Sequence, residues 1–368
     1  MLALGGVVGL IVVFSVNAHA ARAAASQDWS PFVLVSGLLL IGLVADGDGL
    51  FAAAGNTLAR LSSNGVVLFF GAALMISVVT ALLNLDTSVA FLTPVLVYAA
   101  RSRGSAEAPL LYGCLLLSNA GSLFLPGSNL TNLIVLGHLR LTGAQFLAHA
   151  WAPATAALVV TAVVVLIAER RELSEKSLEI QPTKRPALGL GLVAVVAGAV
   201  LVIVMPSPAL AVAGVGVVAT ALRVTRGNIK PGHVAQVLGV PVLVGLFGVA
   251  VTLGTVGRLW SGPTVLLSHL DVWGTAALAG VSSILVNNLP AASMLAARSS
   301  AHPFALLIGL NLGPNLFVTG SLAWLLWLRA ARLAGARPSL KKASQLGAWV
   351  VPASMAAAIL ALLGAGHG

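Results

Sequence analysis

The stretch Ser118–Asn132, SNAGSLFLPGSNLTN, does most to constrain what this chain can fold into. It places three Ser, three Asn, one Thr, two Gly and a Pro inside an otherwise apolar run. In a bilayer there is no water to satisfy exposed backbone groups. A broken, polar segment survives there only where it is buried in protein or lines a cavity. About 192 residues later the pattern returns as Asn311-Leu-Gly313-Pro314-Asn315-Leu-Phe-Val-Thr319-Gly320-Ser321. Asn119 and Gly121 match Asn311 and Gly313, and Gly127-Ser128 matches Gly320-Ser321 with one residue inserted. Interrupted helices at corresponding places in two halves point to the binding site of a secondary transporter.

The bilayer enters the argument through composition. Of 368 residues, 58% are hydrophobic and 8% charged, and mean hydropathy is +1.01. Apolar runs of roughly 20 residues recur along the chain, the length that spans a hydrocarbon core. The expectation is an all-α polytopic membrane protein with the lipid bilayer as its main partner. The net charge of +10 sits in short loops, where it sets topology and meets anionic headgroups rather than nucleic acid. The single Cys114 excludes an internal disulfide, and the seven His show no metal-ligand spacing. No cofactor, metal or catalytic group is expected. There is no His-Glu-x-x-His, and Gly47-Asp48-Gly49 has no second acidic partner in a matching helix.

Read in order, residues 1–20 form a first apolar segment; the small residues Ala18, Ala20 and Ala21 would suit a signal peptide, but with no positive n-region it reads as a retained helix. Residues 31–45 form a second, ending at Asp46-Gly-Asp48-Gly, which reads as a solvated helix end. The long stretch 65–100 breaks at Asn84-Leu-Asp86-Thr87-Ser88 and reads as a re-entrant hairpin; the alternative is two full spans with Asp86 in a loop. A broken helix over 108–139 and a span over 149–168 follow. The charged loop 169–187 reads as a solvated cytoplasmic linker between residues 1–168 and 188–368. The second part runs 188–205, 208–222 and 234–256, then a hairpin over 263–297 broken at Asn287-Asn288-Leu-Pro290. A broken helix over 303–328 and a last span over 345–364 complete it. Three spans precede the second hairpin and two the first, so either the first repeat is one helix short or the true start lies upstream of Met1.

With each hairpin re-entrant and each broken helix one crossing, 16 of the 20 basic residues fall on one side. Arg22, Arg140, Arg258 and Arg298 fall on the other. The positive-inside rule makes the rich side cytoplasmic. The N-terminus and loop 169–187 then lie in the cytoplasm and the C-terminus outside, in the cytoplasmic membrane. The hairpins enter from opposite sides, so the two repeats are inverted.

The four breaks should meet near the bilayer midplane. Candidate solute-binding residues are Asn84, Asp86, Thr87, Asn119, Ser128, Asn129, Thr131, Asn287, Asn288, Asn311, Asn315, Thr319, Gly320 and Ser321. Amides and hydroxyls donate and accept, and broken helices add unpaired backbone groups and dipole ends. Asp86 is the acid placed deep in the membrane and the candidate carrier of a proton or cation. The plain alternative for each Asn or Ser is a helix–helix hydrogen bond. Trp324 and Trp327 read as packing residues.

At these residues the chain resembles the arsenical pump membrane protein (ArsB/NhaD-like) family of the ion transporter superfamily. The segments concerned are Asp86–Pro94, Ser128–Asn132, Asn287–Pro290 and Leu312-Gly313-Pro314 through Trp327. The resemblance implies inverted repeats, a homodimer, and proton- or potential-driven efflux of arsenite or antimonite. It also implies solute near the hairpin tips. Any pump ATPase is a separate chain, since no ATP-binding motif is present. Asn119 and Asn311 stand where that family often has an acid, and a Lys expected near Asn315 is absent. Sodium/proton exchange or carboxylate or oxyanion transport on the same fold is the alternative.

Overall fold

The computed structural model describes residues 2–62, 64–137, 141–173 and 189–366. All regular structure among them is helical. Helix Leu2–Gly47 is broken at Asn17 (φ −152°, ψ 88°). Gly6 lies against the backbone of Gly245 and Gly248, while Phe32 meets Phe247 edge-on at 5.4 Å. Residues 6 and 32 therefore sit at one level of helix Val240–Leu259, and the chain reverses between them. Two antiparallel segments result, as expected. The second begins just after Asn17 rather than at residue 31, so Asp28 lies inside a helix.

Two elements were not expected. Leu50–Leu61 and Pro231–Leu238 are short amphipathic helices. The turn at Asp46–Gly49 is also not a plain solvated end. Asp48 accepts from the Gly191 amide (2.6 Å) and pairs with Arg223.

Both expected hairpins are present. The first pairs Gly65–Leu82 with Leu85–Ser102, and the second pairs Val272–Val286 with Asn288–Leu295 after a short helix Gly262–Ser268. The first broken helix runs Ala108–Gly121, a 3-10 turn Pro126–Ser128, then Leu130–Leu136. The second runs Pro303–Leu312, a 3-10 turn Gly313–Leu316, then Leu322–Leu333. Long helices Gly143–Ala168 and Leu340–Gly364 follow. Thr142 and Gln145 start the former with a capping box, six residues before the expected boundary.

Contacts relate the two series. The first arm of each hairpin packs on the pre-break helix of its own series, and the second arm packs on the post-break helix of the other. The broken helices run antiparallel: Asn315 reaches Leu116 and Trp327 reaches Leu111. The long helices are antiparallel too, since Glu169 at the end of one pairs with Lys342 at the start of the other (2.8 Å). This is the geometry of inverted repeats.

The ends of the bundle separate the basic residues as the sequence suggests. At one end lie Arg101 on the Ala334 carbonyl (2.7 Å), Arg223 on Asp48, and Lys342. At the other lie Arg258 and Arg298, joined by a bond from Arg298 Nη2 to the Arg258 carbonyl (2.9 Å). Arg140, Lys176, Lys184 and Arg185 fall outside the described residues. Of the linker, residues 169–173 are described, and they correct the solvated reading at one place. The Glu169 side chain is 1% exposed and held by Lys342.

Candidate functional site

Asparagines at three of the four breaks restart helices. Asn84 Oδ1 accepts from the Thr87 amide (2.6 Å), Asn129 Oδ1 from Thr131 (3.4 Å) and Asn287 Oδ1 from Leu289 (3.3 Å). Each caps the N-terminus of the segment it precedes. Ser321 occupies the same position before Leu322, with its hydroxyl buried and unpartnered. Helix caps at membrane depth explain why these breaks are rich in Asn and Ser.

These four N-termini converge. One small cavity is lined by Leu85 and Asp86, Asn129 and Leu130, Asn287 to Leu289, and Ser321 and Leu322. Leu246 of the packing helix Val240–Leu259 closes it. Its volume of about 20 Å³ has room for about one water. Positive helix ends face inward from all four segments. Asp86 is the one ionisable side chain in the lining. Among the described residues it has no side-chain hydrogen bond or ion pair.

The remaining candidates hold the frame rather than the cavity. Asn311 is the hub between the two broken helices. Its Oδ1 accepts from Ser122 Oγ (2.7 Å), Asn129 Nδ2 (2.7 Å) and Thr131 Oγ1 (3.5 Å). Its Nδ2 donates to Asn132 Oδ1 and to the Leu307 carbonyl (2.8 Å each). Asn132 in turn donates to the Ser122 and Leu125 carbonyls across the break (2.7 and 3.1 Å). Asn119, the repeat mate of Asn311, donates only to Leu115 O (3.1 Å), and its buried Oδ1 has no partner. Asn315 donates to Leu116 O (3.1 Å).

The hairpin tips are tied to the breaks of their own series. Ser128 Oγ donates to Ala81 O (3.1 Å). The Asn288 amide donates to Gly320 O (2.8 Å), Asn287 Nδ2 to Thr319 O (3.2 Å), and Thr319 Oγ1 to Ile284 O (2.8 Å). Gly320 lies against Pro314, leaving no space for a Cβ. Thr87 faces away from the cavity, with its methyl against Gly42 and its hydroxyl unpartnered. Trp324 and Trp327 are fully buried and donate to the Pro314 and Leu111 carbonyls (2.8 Å each), which fits the packing role.

Sequence reasoning missed a second polar group at the Arg258 end. Gln27 Nε2 donates to Ile134 O (3.0 Å) and Ala296 O (3.1 Å). Asp28 beside it is buried. The run Ser26-Gln27-Asp28-Trp29-Ser30 reads as an interspan loop by hydropathy, and no local signal shows that the helix continues through it.

A family model described as a citrate transporter (CitMHS) matches residues 1–330. The match is to this family, where the sequence resemblance pointed to the arsenical pump family. Among solved structures, the chain is similar to the YdaH transporter of Alcanivorax borkumensis, whose topology is described as unusual. The two are 15% identical, with a TM-score of 0.57, over 94% of this chain and 88% of that one. At that identity the likeness concerns the fold.

Proposed function

The chain belongs to the citrate transporter family (CitMHS), and from that premise we propose that it is a secondary active transporter of small carboxylates. One observation supports this most: helix N-termini from both repeats meet at a single cavity beside Asp86. Three of those helices are eight residues or longer. A carboxylate suits positive helix ends and amide donors. Asp86 would repel it unless the acid carries a proton or a bound cation, so solute and coupling ion bind together. The cavity as it stands is too small for such a solute. Entry requires the hairpin tips to part from the breaks that hold them. By the positive-inside rule the Arg258 end faces outward.

A second reading, efflux of arsenite or antimonite, is favoured by one feature. No Lys or Arg lines the central cavity, and a neutral trihydroxy solute needs none. Purified protein in proteoliposomes separates the two. Labelled citrate and labelled arsenite are each offered under an imposed proton gradient and, in a second series, a sodium gradient. Gradient-driven citrate flux supports the carboxylate reading. Arsenite flux without citrate flux overturns it. Asp86→Asn is expected to cut coupled flux at least on the order of a hundredfold while leaving the fold intact. Unchanged coupled flux in that variant would remove Asp86 from the mechanism.

A further inference from the structure

A second cavity, larger than the central one, lies apart from it. It measures about 600 Å³ and opens at the Arg258 end, between residues 23–34, the post-break helix Leu130–Leu136 and the turn 205–208. That volume fits a small organic solute. Ser26, Gln27, Ser30, Ser207 and Arg258 supply its polar lining, and no acid lines it among the described residues. Asp28, buried nearby, interacts electrostatically with Arg258 from outside the lining.

A guanidinium has five N–H groups, and Arg258 commits three. Nη1 donates to Gly254 O (2.9 Å), and Nη2 donates to Ala23 O (3.5 Å) and to Gln27 Oε1. All three acceptors are neutral oxygens; among the described residues Arg258 forms no close salt bridge, and Asp28 acts on it electrostatically from outside the cavity lining. Gln27 is also the side chain that holds Ile134 and Ala296. Those carbonyls lie at the far ends of Leu130–Leu136 and Asn288–Leu295, the two short segments whose first turns enter the central cavity.

We propose that this cavity is a second, outer binding site for the carboxylate solute, with Arg258 as its cationic contact. The proposal rests on the carboxylate reading of the central site. The central cavity has no basic side chain, and Arg258 supplies one on the approach to it. A carboxylate that takes the Nη2 N–H groups now held by Ala23 and Gln27 competes with Gln27 for the guanidinium. Gln27 in turn clasps the two segments that present Asn129 and Asn288 to the centre. Occupancy of the outer site is thereby linked to release of the inner one.

The test uses Ser26→Cys in the full-length protein, with the fully buried Cys114 making the parent an unreactive control. Rates of modification by an anionic sulfonate thiosulfonate reagent and its cationic trimethylammonium counterpart are compared, with and without citrate. Added Arg258→Gln is expected to slow the anionic reagent on the order of tenfold relative to the cationic one. Arg258→Lys is expected to keep the anionic preference, which guards against a folding defect. Citrate is expected to protect the introduced thiol only while a cation stands at position 258. An anionic rate indifferent to Arg258→Gln overturns the outer site, whatever citrate does at the centre. An Arg258-dependent rate without citrate protection leaves an anion site standing and overturns the solute assignment.

Discussion

At the scale of single residues, the two repeat mates Asn119 and Asn311 have diverged in what they do. Asn311 joins five partners across two broken helices, whereas Asn119 makes one backbone bond and leaves an oxygen unpaired. Removing a buried hub strands its partners, and each stranded donor or acceptor costs about 1–3 kcal/mol. Reference-state effects in membranes reduce such values. Asn311→Ala is therefore expected to destabilise the protein by about 2–4 kcal/mol, and Asn119→Ala by about 1 kcal/mol or less. Unfolding midpoints in detergent check this, and equal losses would contradict the hub. Asn311 was legible in the sequence as a polar residue at a break. That it binds the frame, and Ser321 faces the cavity, was not, because both patterns look alike until the helices cross.

At the scale of elements, the second hairpin turns on one residue. Asn287 has φ 79° and ψ 147°, a conformation that side-chain-bearing residues adopt at a cost of about 1–3 kcal/mol. Its amide offsets this by capping Leu289 and donating to Thr319, both at long distances. Asn287→Gly removes the strain together with these bonds, so stability is expected to stay within about 1 kcal/mol of the parent. Solute affinity should fall, because Asn287 lines the cavity. Asn287→Ala keeps the strain and loses the bonds, and is expected to cost about 2 kcal/mol. Thermal unfolding and citrate binding, measured on both variants, test the contrast. Hairpins and broken helices were legible as elements because Asn, Gly and Pro interrupt long apolar runs at matching places. Leu50–Leu61 and the unbroken passage through Asp28 were hidden. An amphipathic surface helix and a polar patch inside a packed helix both lower hydropathy and so read as loop.

At the scale of the whole molecule, an ion pair at one end joins the two inverted halves. Lys342 bridges Glu169 and Glu172 (2.8 and 3.2 Å) across the long antiparallel helices. Burial pushes the Glu169 carboxyl above its ordinary value of 4.5, and the Lys342 ammonium pulls it back. Without Lys342 the upward push acts with less opposition. A raised acid binds protons more tightly in the folded state, so the contribution of Glu169 to stability is fully present below pH 4.5 and is lost as pH rises. Lys342→Met is accordingly expected to lose more stability at pH 8 than at pH 5, by about 1–3 kcal/mol, as read from unfolding midpoints at the two pH values. A loss independent of pH would show that Glu169 does not depend on the lysine. The central claim is that solute binds where the four breaks meet. The most direct test is a cryo-EM or crystal structure of the full-length protein with citrate. The expected density lies between Asp86, Asn129, Asn288 and Ser321, in a cavity widened by parting of the hairpin tips. Well-resolved citrate elsewhere, with those four residues still closed around a water-sized space, would contradict it.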